Sequence, residues 1–138
     1  LLARLAAVAP ERLAVRELAG PDPAAVDGVL AVARAGLIAL HGQPGRAVRA
    51  AGDRPAVSPL ARWQAARGPS VSTLLHTTVE LTDPPTRTLV PLLDGTRTRD
   101  ELAAAVRAAV PTLGTPEEVR DGLDIHLDKL ARLGLLTG

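Results

Sequence analysis

Three histidines, three serines and two acid pairs are the side chains of this sequence whose chemistry depends most on spacing. A metal site would need His41, His76 and His126 at ligand spacing, nucleophilic catalysis a serine on a sharp glycine-flanked turn, and acid–base catalysis two carboxylates facing one cleft. None of these patterns is present. No two histidines share a helix at ligand spacing, and Ser58, Ser70 and Ser72 lie outside any Gly-x-Ser-x-Gly. The pairs Asp100-Glu101 and Glu117-Glu118 fall in first helical turns, where acids complement the helix dipole. His126, between Asp124 and Asp128, reads as part of a solvated helix face. Neither Gly-x-Gly-x-x-Gly nor Gly-x-x-x-x-Gly-Lys occurs, so the usual glycine-rich nucleotide and cofactor loops are excluded. With no cysteine, disulfides and thiolate metal sites are excluded too. The residues predict no catalytic, metal or cofactor site within these 138 residues.

Charge is the second chemical signal. Residues 1–69 carry nine arginines against five acids, a net of +4, whereas residues 70–138 carry seven basic residues against ten acids, a net of −3. Arg46, Arg49 and Arg54 lie in a Gly/Pro-rich stretch and are the candidate nucleic-acid contacts. Against that reading, residues 23–35, which would be the recognition helix, offer only Arg34 and also carry Asp27, which phosphate repels. Meeting of the two oppositely charged halves with a neighbouring domain is the preferred explanation. Trp63 is the sole aromatic, so no stacking platform for bases exists and the core must be aliphatic. No apolar run reaches the roughly 20 residues of a membrane helix, and no secretory signal opens the chain, so a cytoplasmic protein is expected. The chain starts at Leu1 and has no methionine, so it reads as a piece of a longer protein.

The elements that must position these side chains follow from periodicity and punctuation. Residues 1–8 and 11–19 predict two short helices, interrupted by Pro10 and closed by Gly20-Pro21. Asp22 caps a third helix with Pro23 at its first position, which runs to Gly36, and residues 37–40 (Leu-Ile-Ala-Leu) predict a strand. A helix over 59–67 holds Trp63, and residues 77–81 alternate as a strand. Asp83-Pro84 starts another helix, which Pro91 kinks or shortens. Thr98 with Glu101, and Thr115 with Glu118, have the spacing of capping boxes, and each opens an amphipathic helix. The last of these ends at Gly134, before a short strand over 135–137.

Residues 33–38 (Ala-Arg-Ala-Gly-Leu-Ile) parallel residues 131–136 (Ala-Arg-Leu-Gly-Leu-Leu), with an Asp-Gly pair upstream of each. In both places a helix ends in glycine and turns into an apolar run. This predicts a mainly α fold with short β-strands, α+β, arranged as two tandem winged-helix-like units over residues 1–69 and 70–138.

Three stretches carry a family resemblance. They are Ser58-Pro59-Leu60-Ala61-Arg62-Trp63-Gln64-Ala65-Ala66-Arg67-Gly68, Leu75-His76-Thr77-Thr78-Val79-Glu80-Leu81, and residues 92–102, Leu-Leu-Asp-Gly-Thr-Arg-Thr-Arg-Asp-Glu-Leu. Together with residues 34–41 they resemble the C-terminal region of bacterial class I methyltransferases that carry a methyltransferase regulatory domain, a group that includes protein-lysine methyltransferases. The resemblance implies a winged-helix region following a catalytic domain that binds S-adenosylmethionine, with that domain and its cofactor outside this chain. No family catalytic or cofactor residue can be carried onto these positions. The 92–98 stretch also resembles peptide-binding winged helices of the PqqD type.

The expected role is thus a non-catalytic regulatory or substrate-docking module acting through protein contacts. Its expected partners are the catalytic domain of the same chain, a protein substrate or a second subunit. The candidate docking residues are Leu37, Leu40 and Leu135 on exposed strand edges and Asp121, Asp124 and Asp128 on an acidic helix face. A winged-helix nucleic-acid-binding module of a transcription regulator is the alternative, and a PqqD-type peptide binder the second.

Overall fold

The computed structural model describes residues 1–138, which divide into two compact units, 1–45 and 46–138. In the first unit, helices α1 (Leu2–Val8), α2 (Val15–Ala19) and α3 (Pro23–Arg34) follow one another without a strand. Asp22 caps α3 by accepting the Ala24 N–H at 3.0 Å, with Pro23 in the first turn. The Arg4 guanidinium donates to the Glu17 carbonyl at 2.9 Å and ties α1 to α2. Only Ala19 and Val29 are buried here, so the unit has a very small core.

α3 closes in a Schellman motif: Gly36, at φ +73°, donates to the Ala33 carbonyl and Leu37 donates to that of Val32. The strand expected over 37–40 does not form. No extended segment lies alongside to accept its backbone groups, so the run continues as irregular chain into residues 42–45.

The second unit holds the sheets. Its elements are β1 (Ala56–Val57), α4 (Pro59–Ala65), β2 (Ser70–Ser72), β3 (Thr78–Glu80), α5 (Pro84–Leu92), α6 (Arg99–Ala109), a 3-10 turn (Pro111–Leu113), α7 (Pro116–Arg132) and β4 (Leu136–Thr137). β2 and β3 form an antiparallel hairpin with Val71 opposite Val79. β1 and β4 are antiparallel, with Ala56 opposite Thr137 and Val57 opposite Leu136. Thr137 also bridges to Ala47, and Ala56 to Asp94.

Starts and stops of these helices are written locally. Ser58, Asp83, Thr98 and Thr115 each cap the following helix, and the last two form complete capping boxes with Glu101 and Glu118. Pro91, which lacks the N–H to continue the helix, precedes the end of α5 at Leu92 by one residue. α7 closes as α3 does, with Gly134 at φ +69° donating to Ala131 and Leu135 donating to Leu130.

The core is aliphatic throughout. Leu89, Leu93, Leu102, Leu127, Leu130, Leu135 and Leu136 are fully buried, with Val71 and Val90 among them. Each such leucine contributes about 1.5–3 kcal/mol relative to its exposed state.

The division between units falls after Gly45 and not at residue 69, because α4 packs on α5 and β2. Gln64 clamps that packing: its amide oxygen accepts the Ser72 N–H at 2.7 Å and its amide nitrogen donates to the Ser72 hydroxyl at 3.0 Å. The mainly helical α+β class is as expected, while the strand-free first unit does not repeat the layout of the second.

Candidate functional site

α7 is the longest helix and carries the acids singled out from sequence. Asp121, Ile125 and Asp128 are spaced to lie along one side of the helix, with Glu117 a turn before them. Ile125 is 70% exposed, the most exposed large apolar side chain in the chain. Asp124 is engaged by Arg99, whose guanidinium also donates to the Ala51 carbonyl at 2.7 Å. Asp121 and Asp128 form no ion pair. The face thus presents an aliphatic anchor between two uncompensated carboxylates.

The expected strand edges fare differently. Leu135 is 1% exposed, and the strand it leads into is flanked on both sides, by β1 and by residues 46–48. It offers no free edge, because its backbone groups are already paired within the sheet. Leu37 and Leu40 are exposed, but as irregular chain in the first unit and not as a strand. Of the candidate nucleic-acid contacts, Arg54 donates to the Thr96 carbonyl, and Arg46 and Arg49 are exposed on either side of the segment that flanks β4.

Two arrangements escaped the sequence reading. His126 is not a solvated bystander: its Nδ1 shares a 2.8 Å hydrogen bond with the Oγ1 of Thr86, which is 2% exposed. Asp83 lies 3.6 Å from the same nitrogen, and Lys129 lies 3.5 Å from the other Asp83 oxygen. Burial pushes the Asp83 carboxyl up, but hydrogen bonds from Thr86, with His126 and Lys129 nearby, hold it below its ordinary value. An acid, an imidazole and a hydroxyl in one cluster invite comparison with a catalytic relay. A relay, however, places the acid and the nucleophile on opposite ring nitrogens. Here both face Nδ1 and the hydroxyl is buried, so the cluster fastens α7 to the start of α5 and activates no nucleophile. A hydroxyl at Thr86, on the same side of α5 as the apolar Leu89 and Val90, was the available signal.

The second arrangement is a cleft of about 70 Å³ between α5, α6 and α7. Leu89, Val106, Leu113 and Val119 line it with Gly122, and Glu118 and His126 supply its polar groups. Glu118 is the partner of Thr115 in the capping box, whose hydrogen bonds keep its carboxyl below the ordinary value and therefore ionised at neutral pH. On α4, Trp63 is 55% exposed with the Arg67 guanidinium 4.2 Å above its ring, and Leu60 beside it is 54% exposed.

Residues 53–115 match the model of a protein family described as PKMT, C-terminal winged helix domain. Three stretches noted in the sequence, over 58–68, 75–81 and 92–102, fall inside that span. No curated protein matches the sequence. Among solved structures, the chain is similar to PKMT2 from Rickettsia typhi, with 17% identity and a TM-score of 0.61, covering 82% of this chain and 27% of that one. It is also similar to PKMT2 from Rickettsia typhi in complex with AdoHcy, at 17% identity and a TM-score of 0.63, covering 79% and 25%. The chain thus spans about a quarter of the length of these proteins, and at that identity the likeness is one of fold. The β1-to-α6 region described above lies in the matched segment, so over residues 53–115 the chain is similar to the C-terminal winged helix domain of PKMT proteins.

Proposed function

We propose that this chain is a non-catalytic docking module of a larger S-adenosylmethionine-dependent protein-lysine methyltransferase. Its task is to hold a basic segment of the protein substrate. The observation that carries the reading is the exposed side of α7, where Ile125 stands between the unpaired Asp121 and Asp128. A lysine-bearing segment would cover the isoleucine and compensate both carboxylates, and partial desolvation of such pairs steers association as well as register. The cleft described above does not fit the cofactor. The cleft between α5, α6 and α7, at about 70 Å³ and lined mostly by apolar side chains, is far below the roughly 300 Å³ at which ligand pockets begin. Methyl transfer is therefore assigned to a domain outside these residues. The nucleic-acid reading gains nothing from the fold, since Arg54 is spent on the Thr96 carbonyl.

The test is the triple variant Asp121→Asn, Ile125→Ser, Asp128→Asn in the full-length enzyme. All three positions are exposed, so folding should be preserved. The expected result is a raised KM for the protein substrate with S-adenosylmethionine affinity unchanged. An unaltered KM for the protein substrate overturns the docking role, and a parallel loss of cofactor affinity points to contact with the catalytic domain instead.

A further inference from the structure

Gly122 lies in the middle of α7, where glycine weakens a helix by leaving its backbone less restrained than alanine would. Tight packing is the ordinary reason to tolerate this, and it does not apply here. A Cβ built on Gly122 meets nothing within 4 Å. What the missing side chain does leave is space, because Gly122 is part of the wall of the cleft between α5, α6 and α7. Glu118 and His126, one turn to either side on the same stripe of the helix, are the polar groups of that cleft.

We propose that this cleft binds a short primary aliphatic ammonium ion, its alkyl chain against Leu89, Val106 and Val119 and its charge on the Glu118 carboxylate. Size and charge both select this class. A cavity of about 150 Å³ holds a benzene ring, so about 70 Å³ open at one side takes roughly three or four carbons. Glu118 enters no ion pair in the structure, so its charge is available to a cation. The lining offers an anion no lysine or arginine, and the Nδ1 of His126 is already engaged by Thr86. The ion can be a free amine or the side chain of a lysine in a polypeptide. The proposal does not rest on the docking role of the Asp121 side, since its test reads a small molecule on this chain alone.

The experiment is a titration of the 138-residue chain with n-butylamine, followed by the amide resonances of Val119, Gly122 and His126. Isosteric n-butanol and butyrate serve as controls, and Nα-acetyl-lysine methylamide as the polypeptide arm. Saturable shifts in the millimolar range are expected for the amine, at least tenfold weaker for butyrate, as befits a ligand of so few atoms. Gly122→Leu should fill the cleft and abolish the shifts without lowering the unfolding midpoint. Glu118→Gln should reduce the amine to the level of butanol. Equal binding of acetyl-lysine methylamide assigns the site to a lysine side chain, and its exclusion assigns it to a free amine. Butyrate binding as well as the amine, amine binding that survives Gly122→Leu, or no shifts into the tens of millimolar would each overturn the proposal.

Discussion

Thr86 and His126, forty residues apart, meet through a 2.8 Å hydrogen bond that joins the first turn of α5 to the second half of α7. The threonine end is buried and the histidine end is about one-quarter exposed, so the two partners depend on the bond unequally. Thr86→Val keeps the shape and deletes the hydroxyl, while the imidazole can turn to water. The expected cost is about 0.5–1.5 kcal/mol, the net worth of a typical hydrogen bond, read from the urea midpoint at unchanged slope. A loss near zero would show that the contact is incidental.

Acid should unfold the second unit in a defined window. Hydrogen bonds from Thr96, and then Arg97, bring the Asp94 carboxyl down to about 2, and those from Thr98 and Thr115 lower Glu101 and Glu118. A carboxyl whose folded value lies below its unfolded one stabilises the fold above the unfolded value and ceases to do so as pH falls through the folded one. The unfolding midpoint should therefore be level above about pH 5 and decline from about pH 4 toward pH 2. Asp94→Asn should flatten the lower part of that decline, and an unchanged profile would contradict the assignment.

Gly134→Ala should be costly for two separable reasons. Its φ of +69° disfavours any side chain, and a Cβ there would stand 2.6 Å from the Leu75 Cγ. The left-handed backbone costs about 1–2 kcal/mol and the overlap about 1–3 more. In a Leu75→Ala background only the backbone part should remain. Equal losses in both backgrounds would rule out the steric contribution.

Trp63→Ala should shift stability by no more than about 0.5 kcal/mol in urea unfolding, against 3–5 kcal/mol for a tryptophan in a core. The ring is 55% exposed and its close charged neighbour, Arg67, is exposed too. A large loss would mean that the α4 surface packs more tightly than its exposure indicates.

Features governed by neighbours in sequence were legible before any coordinates. The capping roles of Asp22, Asp83, Thr98 and Thr115 depend on side chains within three residues, and so do the left-handed glycines 36 and 134. What depends on a distant partner was not. The same helix–glycine–apolar text precedes residues 37–40 and 135–137, yet only the second becomes a strand, because β1 and residues 46–48 receive it. The acids of α7 could be assigned to a face, but that Arg99 claims Asp124 and leaves Asp121 and Asp128 free required the packing of α6. The cleft has no sequence signature beyond a glycine in mid-helix, since its walls come from three helices.

The position of β4 bears on how the protein is made. Thr137 pairs with Ala56 on one side and Ala47 on the other, partners about 80 and 90 positions earlier in the chain. During synthesis those partners emerge long before the strand that joins them, and their backbone groups stay open to other extended segments in the meantime. Closure of the sheet is thus a long-range event that waits for residues 136–137 to clear the ribosome, and contacts of such separation slow folding.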